Sequence, residues 1–132
     1  MKENNFQRIL VKSLRECGAV VFNIHGHAMQ VAGIPDLYIA HPVWTGWLEL
    51  KTGNNPATKL QSSTLKRLID CGVHAYILVA NKPRMVLKCY DGEIIGYIPF
   101  MTNDIDGIAF LNKLHLTIKS YELQLVANVV EG

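Results

Sequence analysis

The chain has 132 residues, 13 Lys and Arg against 11 Asp and Glu, and a formal net charge of +2. That length suits a single domain with its own hydrophobic core, and no apolar run reaches the roughly 18 residues of a membrane span. Cys17, Cys71 and Cys89 are odd in number, far apart and without a CxxC pair. This argues against a disulfide framework or a structural zinc and for a reducing, cytoplasmic setting. The opening MKENNFQRIL is polar and charged and lacks the apolar core of a signal peptide.

Charge is unevenly spread. Residues 1–88 hold 11 basic and 5 acidic side chains, a net +6, whereas residues 89–132 hold 2 and 6, a net −4. Three of those five acids, Glu3, Asp36 and Glu49, are candidate metal ligands that a bound cation would neutralise. The first part would then present a positive surface to a polyanion, the alternative being an ordinary solvated surface.

Residues 3–17 read as an amphipathic helix, with Phe6, Leu10, Leu14 and Cys17 at helical spacing, Ile9 beside them and Gly18 as the stop. Arg8, Lys12 and Arg15 share the opposite face, which is either solvated or turned toward phosphates. Glu3 extends the apolar stripe by a turn, as an inward carboxylate or as a first-turn acid favoured by the helix dipole. Residues 19–24 (AVVFNI) form a strand, and a glycine-containing loop follows over residues 23–32 with His25 and His27. A zinc site on these histidines and Asp36 lacks a further nitrogen or sulfur ligand at familiar spacing, because His41 and His74 stand alone. Histidines that contact substrate, or nothing, are the preferred reading.

Residues 36–40 and 44–51 are strands whose short connection favours antiparallel pairing. A loop over residues 52–57 leads to a helix that opens on Thr58-Lys59-Leu60-Gln61, a capping box, and runs to Cys71-Gly72. Residues 73–80 (VHAYILVA) are apolar almost throughout, as in a strand buried on both faces. Strand, helix and strand imply a right-handed crossover with residues 44–51 parallel to 73–80. Residues 85–90 and 93–98 flank Asp91-Gly92, a hairpin signal. A short helix is expected near residues 104–114, and residues 116–130 read equally as strand or irregular.

The chemistry concentrates between Gly33 and Lys51. Strand side chains alternate faces, so Glu49 and Lys51 point one way while Leu48 and Leu50 point the other. Asp36, after a proline, supplies a second carboxylate from the neighbouring strand. Phosphodiester hydrolysis needs a rate gain of about 10¹⁷, roughly 23 kcal/mol, which no single side chain provides. Magnesium takes octahedral oxygen ligands and keeps several waters, so one or two carboxylates suffice. Asp36 and Glu49 suit that role, with the backbone carbonyl of Leu50 as a third ligand, and Lys51 would act on the attacking water and the phosphate charge. In the following helix Leu65 and Leu68 mark the buried stripe and Gln61 falls between them. It either reaches the site or caps Thr58, and the two roles are compatible.

Taken together, Gly33-Ile34-Pro35-Asp36-Leu37, Trp47-Leu48-Glu49-Leu50-Lys51-Thr52, and Gln61 with Leu65, Leu68 and Gly72 resemble the VRR-NUC (virus-type replication-repair nuclease) branch of the PD-(D/E)XK superfamily. Glu3-x-x-Phe6-Gln7 is similar to that branch's opening helix. The resemblance covers residues 3 to about 80; residues 85–132 are an extension without a counterpart. It implies an α/β, restriction-endonuclease-like core, a mixed sheet flanked by helices in the order αβββαβ, with a C-terminal hairpin and helix added. It further implies Mg²⁺- or Mn²⁺-dependent cleavage of DNA by Asp36, Glu49, Lys51 and Gln61, with Glu3 as an auxiliary acid.

The expected function is a structure-selective DNA endonuclease for branched, flapped or four-way junction DNA, in phage or bacterial replication, repair or recombination. Lys59, Arg8, Lys12, Arg15, His25 and His27 are candidate DNA contacts. A homodimer is expected, with the hairpin over residues 85–98 and the acidic region after it as partner surface. Two alternatives stand beside this: a non-cleaving DNA-binding module on the same fold, and a zinc hydrolase using His25 and His27.

Overall fold

Phe6, Leu10 and Leu14 are fully buried along one side of helix α1 (Glu3–Glu16), while Arg8, Lys12 and Arg15 remain exposed. The expected amphipathic division therefore holds. A computed structural model of the protein describes residues 3–24, 32–81, 84–99 and 105–131. After α1 come β1 (Val20–Asn23), β2 (Leu37–Ala40), β3 (Thr45–Thr52), α2 (Lys59–Asp70), β4 (Ala75–Asn81), β5 (Arg84–Lys88), β6 (Ile94–Pro99) and α3 (Gly107–Glu131).

The strands form one six-stranded sheet in chain order, β1 to β6. Only β3 and β4 pair in parallel, through the α2 crossover; the other four pairings are antiparallel. The sheet has a covered face and a half-covered one. On the first, Leu37, Ile39, Leu48, Leu50, Leu78 and Leu87 meet α1 and the Phe110, Leu111, Leu114 and Ile118 stripe of α3. On the second, Leu65 of α2 packs on Ala75, Ile77, Val79 and Val86. Every residue of β4 up to Ala80 is buried, as the apolar run requires of a strand covered on both sides.

Two expectations are corrected. The turn between β5 and β6 spans residues 89–93, wider than a two-residue Asp-Gly hairpin, with a register shift at Leu87/Lys88. Helix α3 is 25 residues long, not a short element ending near residue 114. Its core stripe, Phe110, Leu111, Leu114 and Ile118, ends with the half-buried Tyr121, and the apolar residues after it are exposed. Ile118, Val126, Val129 and Val130 are β-branched and read locally as strand, but the segment contains neither Gly nor Pro to stop a helix already started. Close contact anchors its middle: a Cβ on Gly96 of β6 would lie 2.3 Å from Thr117 Cγ2. No helix among the described residues is long and apolar enough to cross a membrane.

Candidate active site

Gly33 begins the construction. Its φ of +85° suits glycine, and a Cβ there would lie 2.7 Å from Leu60 Cγ, so the chain passes tightly under the first turn of α2. The buried Pro35 follows and delivers Asp36 to the start of β2. Leu37 pairs with Leu48 in the antiparallel register, so one step outward Asp36 faces Glu49 on the same side of the sheet. Asp36 is 4% exposed and Glu49 2%. Asp36 Oδ2 accepts a hydrogen bond of 2.8 Å from the Leu50 amide, which ties the loop carboxylate to β3.

Glu49 is held from two sides. Gln61 Nε2 donates to Glu49 Oε2 at 2.8 Å, and Lys51 Nζ lies 3.7 Å from the same oxygen. The other end of the Gln61 amide accepts from the Thr58 amide at 2.9 Å, while Thr58 Oγ1 accepts from the Gln61 amide at 3.1 Å. The capping box is therefore complete and also points its glutamine at the carboxylate. Asp36, Glu49, Lys51 and Gln61 are thus brought together by β2, β3 and α2.

The donor set is made of oxygens. Among the described residues, two buried carboxylates stand opposite one another with Lys51 beside Glu49, in a site where charge is poorly screened. Among the described residues no three His, Cys, Asp or Glu side chains gather into a cluster. Two carboxylates fit a hard cation that keeps most of its water, such as Mg²⁺ or Mn²⁺, better than a zinc that wants nitrogen or sulfur.

The remaining predicted residues are dispersed. His25, His27 and the side chain of Glu3 lie outside the described residues. Arg8, Lys12 and Arg15 line a cavity of about 750 Å³ with Gln7 and Asn23, on the α1 side of the sheet. All three are engaged locally: Arg8 Nη2 donates to Asn5 Oδ1 at 3.3 Å, Arg15 Nη2 donates to the Val21 carbonyl at 2.8 Å, and Lys12 pairs with Glu16 at 3.9 Å. Lys59 is exposed at the first position of α2, two residues from Gln61.

One feature of this face escaped the sequence reading. Phe22 pairs with Tyr38 across β1 and β2, and Tyr38 with Trp47 across β2 and β3. Their centroids are 6.1 Å and 5.0 Å apart. Tyr38 is two residues after Asp36 and Trp47 two before Glu49, so the rings share the face of the carboxylates. The signal was present as that spacing, but it means nothing until the register is known.

With this geometry in view, the fold can be compared with solved structures. Hjc, a Holliday junction resolvase of Archaeoglobus fulgidus, is similar with a TM-score of 0.55 and 13% sequence identity, over 85% of this chain and 98% of that one. The architecture is restriction-endonuclease-like. No protein-family profile matches the chain, and no curated protein does.

Proposed function

We propose that this protein is a Mg²⁺- or Mn²⁺-dependent endonuclease of the VRR-NUC type that cleaves branched DNA, whether flapped or four-way. The observation that carries the reading is the buried Asp36–Glu49 pair, opposed across β2 and β3, with Lys51 and Gln61 both on Glu49. A DNA-binding module would have no use for two inward carboxylates beside phosphate. The likeness to a structure titled as a Holliday junction resolvase supports the substrate class.

Asp36, Glu49 and the Leu50 carbonyl would hold the metal, which when bound polarises the phosphoryl oxygen and offsets the charge of the transition state. The Leu50 amide keeps Asp36 in place, and Gln61 fixes the orientation of the Glu49 carboxylate. Lys51 Nζ orients the attacking water and stabilises negative charge on the phosphate oxygens. Lys59, two residues from Gln61, contributes a phosphate contact beside the site, whereas the basic face of α1 lies on the other side of the sheet. Cleavage of a panel of linear, flapped, forked and four-way DNAs with Mg²⁺ or Mn²⁺ tests the reading, and a protein inert on all of them overturns it.

A homodimer belongs to the same proposal, since two cuts resolve a four-way junction. Leu116, Leu123 and Val130 recur every seven residues along α3 and are 62%, 60% and 80% exposed. Such a stripe can meet its own copy about a two-fold axis.

A further inference from the structure

The row of rings on the site face ends at the sheet edge. β1 is the outermost strand, and its Phe22 is 58% exposed although it stacks on Tyr38 with planes only 18° apart. Trp47, at the inner end, leans on the α2 core and is half-buried. The pile thus has a supported end and an open end, and among the described residues no further ring stacks on Phe22.

Phe22 and Val20, two residues apart on this edge strand, are both exposed, an apolar edge open to something that covers it. The location limits what that is. Tyr38 and Trp47 are each displaced from the Asp36–Glu49 pair by two residues along their own strand, about 7 Å, and Phe22 lies one strand, about 5 Å, further out. A chain held with a phosphate at the carboxylates would therefore bring its next nucleotide or two to the rings. Lys51 lies on the same face, and residues 1–88 carry a net positive charge, so the approach suits a polyanion. Phe22 and Tyr38 are near-parallel, with Trp47 tilted 59° behind Tyr38, so the open ring face is that of Phe22, and it matches the stacking platforms on which unpaired bases rest. A base inside a duplex keeps its faces stacked on neighbours and cannot use it.

We infer that Phe22, Tyr38 and Trp47 form a stacking platform for unpaired DNA bases next to the cleaved phosphate. The protein then selects flapped and forked substrates by engaging the single strand they carry. This rests on the nuclease reading for the identity of the polyanion. It adds the part of the substrate that is recognised and the residues that recognise it.

The test uses the full chain and two variants, Phe22→Leu, which keeps apolar bulk without a ring, and Phe22→Ala. Binding of a labelled oligothymidylate and of a duplex of equal length is followed by anisotropy without added metal. The platform predicts that both variants weaken oligothymidylate binding roughly tenfold, in the range that one base–aromatic stack provides, and leave duplex binding unchanged. An iodouracil placed in the oligonucleotide should crosslink to Phe22 or Tyr38 on irradiation. With Mg²⁺ or Mn²⁺, the variants should cleave a flap more slowly by a similar factor while cutting a nicked duplex at the native rate. Equal oligothymidylate binding by native and variant chains overturns the platform, as does equal loss on duplex. A shift in the monomer–dimer balance of the variants without a binding change also overturns it and assigns the β1 edge to a second copy. If the native chain cuts no DNA, the nuclease reading falls, and the binding and crosslinking arms decide the platform alone.

Discussion

Gln61 uses both ends of one amide, donating from Nε2 to Glu49 Oε2 at 2.8 Å and accepting at Oε1 from the Thr58 amide at 2.9 Å. Helix capping and site geometry are therefore one arrangement. The cap sets where α2 starts, and that start sets the rotamer from which Gln61 reaches the carboxylate. Gln61→Ala should remove both, costing about 1 kcal/mol of stability as a lost cap partner and about 10- to 100-fold in cleavage as a lost orienting partner. Gln61→Glu separates them, because glutamate keeps the capping box while placing a like charge on Glu49. Thermal unfolding close to native with cleavage as poor as Gln61→Ala is the expected pair of results; native cleavage by Gln61→Glu would remove Gln61 from the site.

Asp36→Asn and Glu49→Gln should each abolish cleavage and leave the fold intact. In Asp36→Asn the new amide still offers an oxygen to the Leu50 N–H, and in Glu49→Gln it still offers one to Gln61. The hydrogen bonds therefore persist while the ligand charges disappear. Groups that act as a unit fail together, so each variant should lose nearly the whole rate. Turnover near native in either variant, with an unchanged circular dichroism spectrum, would show the metal site to be misplaced.

Lys51→Met tests the cation beside Glu49. Losing a positive charge 3.7 Å from Oε2 should leave metal affinity equal or higher. DNA affinity should fall by about one phosphate contact, and single-turnover cleavage by on the order of 10² to 10⁴. A lysine that merely ends the strand would give a rate within a few-fold of native at saturating Mn²⁺.

Alkaline pH should weaken the fold through the α3 interface. Burial, foremost, pushes up both the Cys89 thiol and the Tyr121 hydroxyl, whose Sγ and oxygen are 3.8 Å apart. Because the folded pKa lies above the unfolded one, the folded chain holds its proton longer. The stability this contributes is complete below the ordinary thiol value of 9.0 and is lost as pH rises through the raised folded value. Melting temperature should therefore drop above that pH, and Cys89→Ala with Tyr121→Phe should flatten the drop. A native-like slope in the double variant would place the alkaline sensitivity elsewhere.

The exposed stripe of α3 makes a prediction about assembly. Leu123→Glu should leave the monomer folded, because Leu123 is 60% exposed, and should shift light scattering toward the monomer mass. A monomeric native chain at micromolar concentration would remove the dimer from the proposal.

Much of the site was legible because its signals are local. Alternation in β3 places Glu49 and Lys51 together, helical spacing turns Gln61 inward with Leu65, and Thr58 to Gln61 mark the cap, all within a few residues of chain. Parallel pairing of β3 and β4 followed from the helical connection between them. The rest depends on registers between distant segments. Phe22, Tyr38 and Trp47 became a row only when β1 and β2 paired so that residue 22 meets 38, and β2 and β3 so that 38 meets 47. A slip of one residue in either pairing would have sent a ring to the other face. The length of α3 was equally hidden, since its second half has no buried stripe of its own and continues from a first half held by Phe110, Leu111 and Leu114 against the sheet. Residue types and local spacing determined which carboxylates, lysine and glutamine share one face; the strand registers, which no short window of sequence contains, decided what stands beside them.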